Sequence, residues 1–131
     1  MDVFFIELMQ DIVKLHSNCY FEEEEEHTFF MGYHFENNVI KFNIAYIKEN
    51  KKQIKEFDDM SDEVFFEICL YHELGHYLDY QYNTERAELR RQVEDPDIEF
   101  RYIGEKNAWK YGRKIIPKRL KDLFDIITLR I

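Results

Sequence analysis

Glycine and proline are scarce in this sequence: 4 Gly and 2 Pro in 131 residues, which argues against long disordered linkers and a turn-rich β-sandwich. Two cysteines, Cys19 and Cys69, are too few for a disulfide scaffold. No stretch of 18 apolar residues occurs, so no membrane-spanning helix is expected. The opening MDVFFIELMQD has an early acid, no basic flank and an apolar run broken at Glu7, which does not read as a signal peptide. The expected location is the cytoplasm. Basic residues are few before residue 106, 10 Lys and Arg against 25 Asp and Glu, a balance that opposes indiscriminate nucleic-acid binding. From residue 106 onward the sign reverses, 8 against 2. Lys106, Lys110, Arg113, Lys114, Lys118, Arg119 and Lys121 read as one solvated helix face, with an acidic partner as the alternative.

What is present is one domain's length of chain, 12 Phe and 9 Tyr for a core, and a 34% charged share for solvated faces. Apolar residues from Val3 to Leu15 recur at helical spacing, predicting an N-terminal helix over about Asp2 to His16. The acidic run Glu22 to Glu26 is read as a solvated loop or a frayed edge. His27 to Phe35 is β-prone, and Val39 to Ile47 alternates with a period of two, Ile40, Phe42, Ile44 and Tyr46 on one side. With Glu36-Asn37-Asn38 between them, these runs predict a β-hairpin. Glu49 to Met60 is read as a polar connection with a short helical turn.

Ser61 followed by Asp62 and Glu63 marks a helix start, an N-cap hydroxyl and then acids at the positive dipole end. That helix is expected to run to Tyr82, burying Phe66, Leu70, Leu74 and Tyr77. A short helix over Thr84 to Val93 follows, then one from Ile98 to Ile116 with a possible interruption at Gly104. After Pro117 comes a last amphipathic helix carrying Leu120, Leu123, Phe124, Ile126 and Ile127.

The chemistry concentrates at His72-Glu73-Leu74-Gly75-His76. Two histidines four apart on a helix leave the same face one turn apart, within reach of a single zinc ion. Glu73 points slightly around the helix, placed to touch a metal-bound water instead of the metal. Gly75, unfavourable in a helix by up to about 1 kcal/mol, makes sense if another backbone packs closely there. The opposing reading, in which both histidines merely cap an aromatic core, involves no metal. A catalytic zinc needs a third protein ligand and an open position. No His follows His76, so the third ligand is an acid, and Glu85, Glu88, Glu94, Asp95, Asp97, Glu99 and Glu105 compete. Glu105 opens the segment EKNAWKYGRKIIP, where a packed helix would project a carboxylate into a shared site.

HELGHYL followed by E-x-x-A-x-x-Y-G and I-I-P resembles the ImmA/IrrE-like family of small gluzincin-type metallopeptidases. The likeness spans roughly residues 27 to 117. It implies His72, His76 and Glu105 as zinc ligands, Glu73 as catalytic base, and an α+β zincin-like single domain over residues 1–131. Its implied elements are an N-terminal helix, a small sheet, the HExxH helix, a glutamate helix and a C-terminal helix. It also implies a substrate strand laid along Val39 to Ile47. Trp109 stands where the family often has a small polar residue able to orient a ligand, and Tyr111 and Gly112 replace the commoner Phe and Ala.

The expected activity is a Zn2+-dependent endopeptidase acting on a protein or peptide, with a regulatory repressor as the substrate type the family suggests. Neither a direct nucleic-acid partner nor a membrane is expected. Tyr71, Tyr102, Tyr111 and His34 compete as oxyanion helpers. Cys69 reads as a packing residue, and Asp79 as either a carboxylate orienting a ligand or a solvated one. The alternatives are a non-catalytic zinc-containing or acidic protein-binding module, and an exported protease.

Overall fold

Asp2 opens the first helix in the way its side chain allows: the carboxylate accepts from the Phe5 backbone N–H at 2.9 Å, capping α1, Val3–His16. The computed structural model describes residues 1–26 and 29–128. His27, which heads the first predicted strand run, lies outside them. The chain divides into two compact units, Met1–Leu70 and a second from Tyr71 onward, with the boundary inside one long helix.

In the first unit, three strands make one sheet in the order β1-β3-β2: β1 Tyr20–Glu23, β2 Met31–His34 and β3 Val39–Phe42. β2 and β3 form the expected antiparallel hairpin, Tyr33 opposite Ile40. Asn38 turns the chain between them at φ 52°, a left-handed conformation that asparagine tolerates.

Three expectations are decided or corrected here. Of the loop and the edge expected for the acidic run, Glu22 and Glu23 take the edge: they lie in β1, a strand pairing parallel to β3. Glutamate is a poor strand former, but β1 is an edge strand whose acids remain exposed while Phe21 stacks on Phe42 with centroids 4.4 Å apart. Secondly, the alternation continuing through Ile44 and Tyr46 is not strand. Asn43 accepts from the Tyr46 N–H at 3.0 Å and caps α2, Ile44–Lys52, so local capping wins over period-two patterning. Thirdly, β3 is central and paired on both sides, so no added strand can lie along Val39 to Phe42. Glu49 to Lys52 therefore belong to α2, and the short helical turn of the connection is at Lys55–Phe57.

Phe42 and Phe66 meet edge to face at 5.3 Å, Phe5 meets Phe66 at 5.5 Å, and Phe57 packs on Phe65 at 5.7 Å. Phe42, Phe57, Phe65 and Phe66, with Met9, Val13, Ile40, Ile47 and Ile68, belong to the buried core of this unit, and Phe5 is half-buried against it.

The long helix, α3, runs Asp62–Tyr82, and the Ser61 hydroxyl accepts from the Val64 N–H at 3.1 Å. Phe66, Leu70, Leu74 and Tyr77 are all buried on it. In the second unit α4 spans Thr84–Gln92, and α5 spans Ile98–Ile115, capped by Asp97 on the Phe100 N–H at 2.8 Å. α5 passes through Gly104 without a break, so Glu105 stands inside a helix and not at its opening. Pro117 ends the segment, and α6, Lys121–Thr128, buries Phe124 and Ile127. The secondary structure is thus α+β. Among the described residues no helix is long and apolar enough to cross a membrane. The basic residues of α5 and the segment after it are mostly exposed, as a solvated face requires.

Candidate metal centre

Glycine lets α3 and α5 touch along their backbones. A Cβ added at Gly75 would stand 1.9 Å from the Ala108 carbonyl oxygen, and one at Gly112 would stand 2.6 Å from the Tyr71 carbonyl oxygen. Only hydrogen fits at either point. One turn of α3 presents His72 and His76 with ring centroids 4.8 Å apart. Glu105 of α5 meets both: His72 Nε2 lies 2.8 Å from Oε2, and His76 Nε2 lies 3.2 Å from Oε1. The ligand-type atoms of these three residues all fall within 4.8 Å of one another.

That spacing fits zinc. Atoms bound at about 2.0–2.1 Å to one tetrahedral zinc stand about 3.3 Å apart, close to the two separations found. Two imidazole nitrogens and a carboxylate are also a donor set that zinc accepts.

Glu105 is the one competing acid brought to the histidines. Glu88 pairs with Arg91 at 3.2 Å, Asp95 pairs with Arg101, and Asp97 is the α5 cap. Glu73 sits half-buried next to His72, near enough that its charge acts on His76. Cys69 is buried and stands outside the cluster.

Trp109 stacks on the His72 ring with centroids 4.1 Å apart, and is itself braced edge-on by Phe124 at 4.6 Å. Among the described residues His72 Nδ1 has no hydrogen-bond partner. Ligating histidines are ordinarily oriented through that second nitrogen. Here packing against the Trp109 ring restrains the imidazole.

Of the oxyanion candidates, Tyr111 is buried and its hydroxyl accepts from the Asn83 amide at 3.1 Å. Tyr102 is exposed on α5, with the Lys106 ammonium 5.5 Å from its ring centre. Tyr71 is buried on α3, and His34 lies on β2 in the first unit.

Asp79 is not solvated: it is wholly buried. It accepts from Arg86 Nε at 3.0 Å, from the Asn83 amide at 2.9 Å and from the Asn107 amide at 2.9 Å. Arg86 places its guanidinium 4.1 Å from the Phe100 ring centre. Gly104 leaves room for it, since a Cβ there would stand 3.0 Å from Arg86 Nη2. Sequence reading missed Asn83, Arg86 and Asn107. Asp79 and Asn83 are an i, i+4 pair that helix spacing alone shows, whereas Arg86 and Asn107 reach Asp79 only through the fold.

Charge follows this geometry. Burial pushes His76 down, but the bond to Glu105 and the charges of Glu73, Glu105 and Asp79 outweigh it and raise the imidazole above its ordinary value. Burial pushes Glu105 up, yet the bonds from His72 and His76 and their charge hold it well below the carboxylate range. Without metal, the pair's contribution to stability is full from above the ordinary glutamate value of about 4.3 up to the ordinary histidine value of about 6.5. It is lost as pH rises through the raised value of His76, or falls through the depressed value of Glu105. Chelator-treated protein should therefore show a melting temperature that declines above neutrality, and Glu105→Gln should flatten that decline. An unchanged slope in Glu105→Gln would refute the pairing as its source.

No protein-family model, curated protein or solved structure matches this chain.

Proposed function

We propose that the chain is a zinc-dependent peptidase with a zincin-like fold, akin to the ImmA/IrrE-like metallopeptidases that its HELGH and E-x-x-A-x-x-Y-G segments resemble. The observation that carries this reading is the convergence of His72, His76 and Glu105 beside a glutamate that precedes the shared site in HExxH order. Among the described residues the cluster has three members. Structural zinc sites are closed by four protein ligands, whereas hydrolytic sites keep one position open.

His72, His76 and Glu105 would hold the ion, and zinc bound there would supply Lewis acidity and lower the pKa of water to about 7. Glu73 takes the proton from the attacking water as its oxygen bonds to the peptide carbonyl carbon. Glu73 then returns a proton to the leaving nitrogen as the C–N bond breaks. Trp109 holds the His72 ring against rotation throughout. The substrate is a protein or peptide, and the setting is the cytoplasm.

Metal analysis of purified protein tests the reading directly. Wild type should carry one zinc per chain, and Glu105→Ala should lose most of it, while Glu94→Ala and Glu99→Ala keep it. Zinc retained in Glu105→Ala but lost in either of the other two would assign the third ligand elsewhere.

A further inference from the structure

Glu105 belongs to α5, and the contacts α5 makes with α3 hold it against the histidines. Two of those contacts bracket the site. Ala108 seats its carbonyl in the notch left by Gly75, which sets how closely the helices approach. One residue earlier, the Asn107 amide donates to Asp79 at 2.9 Å, a directional bond that sets how far α5 is turned about its axis. Rotation of α5 swings Glu105 along an arc, so this bond governs whether the carboxylate faces the two imidazoles.

Asp79 is built to keep that role. It has no exposure, and its oxygens are occupied by Arg86 Nε at 3.1 and 3.0 Å as well as by Asn83 and Asn107. Arg86, from α4, is in turn fixed over Phe100 in the first turn of α5. The carboxylate thus joins α3, α4 and α5 at one point, three residues beyond His76. A buried, multiply bonded carboxylate is costly to maintain for packing alone, because removing the charge pair in favour of apolar residues is often neutral or stabilising.

We propose that Asp79 is a positioning residue for the metal centre, which through Asn107 orients α5 so that Glu105 completes the set begun by His72 and His76. This rests on the zinc reading above and adds a residue set that ligand spacing does not identify.

The test uses full-length protein, zinc titration and the emission of Trp109, the one tryptophan of the chain, which is stacked on His72. Asn107→Ala removes the direct bond from Asp79 to α5 and leaves Asp79 paired with Arg86. It should weaken zinc binding by about 10- to 100-fold, the range for partners behind a ligand, with the metal-free melting temperature near wild type. Asp79→Asn should weaken zinc at least as much, and both variants should shift Trp109 emission in metal-free protein. Because Asp79→Asn leaves Arg86 buried without a counter-charge and can fail to fold, Asn107→Ala carries the decision. Wild-type zinc affinity and wild-type Trp109 emission in Asn107→Ala would overturn the proposal and leave Asp79 a packing element. Wild-type protein that takes up no zinc overturns the metal centre itself. The Trp109 emission of Asn107→Ala then decides the orientation of α5 alone, a shift upholding it and no shift refuting it.

Discussion

Glu73→Gln is expected to abolish peptide hydrolysis while leaving zinc content at one per chain. Glutamine keeps the length and planarity of the side chain but neither accepts nor returns a proton at neutral pH. His72, His76 and Glu105, which meet at 2.8 and 3.2 Å, are untouched by the change. The lost step is proton transfer, so cleavage of a peptide library followed by mass spectrometry should fall by about 10²- to 10⁴-fold. A simultaneous loss of zinc would make Glu73 a holder of the metal. Hydrolysis at the wild-type rate with zinc in place would end the enzymatic reading.

Gly75→Ala has the largest expected effect on the fold. On an exposed helix this change stabilises by up to about 1 kcal/mol, because alanine is the better helix former. Here the sign reverses. The new methyl carbon would stand 1.9 Å from the Ala108 carbonyl oxygen and 2.7 Å from its carbon, and both are backbone atoms of α5 that have no rotamer to escape into. The helices must separate, at about 1–3 kcal/mol for overpacking and with an accompanying fall in melting temperature. Glu105, three residues before Ala108, is carried away with α5, so zinc binding should weaken as well. Scanning calorimetry and zinc titration check both parts. A variant as stable as wild type with full zinc affinity would show that the close approach is dispensable.

The legibility of this chain follows which forces are local. α3 could be read from Ser61 and the acids after it, because a cap and a dipole are properties of a few neighbouring residues. The histidine pair follows from helical pitch, and the close approach at Gly75 from the cost of glycine inside a helix. β1 escaped because its signal is a single inward Phe21 among glutamates. An edge strand needs little hydrophobicity of its own when a neighbour supplies the pairing. α2 escaped because Ile44 and Tyr46 continue an alternation that the Asn43 cap cuts short. At the site, Glu105 stood among seven acids, and its place on a segment able to pack beside the histidine helix, together with the family likeness, favoured it. The Asp79, Arg86 and Asn107 cluster needs α4 and α5 folded back on α3, and no spacing along the chain encodes it.

β1 has a consequence for the behaviour of many copies together. It forms one border of a three-stranded sheet, and such borders recruit strands from other molecules when they are flat and apolar. This border presents Glu22 and Glu23, with Glu24 to Glu26 just beyond, and Lys41 matches Glu24 at 3.6 Å. Pairing with the same edge of a second molecule would align carboxylate with carboxylate. Like-charge repulsion along this border thereby opposes growth of the sheet into fibres.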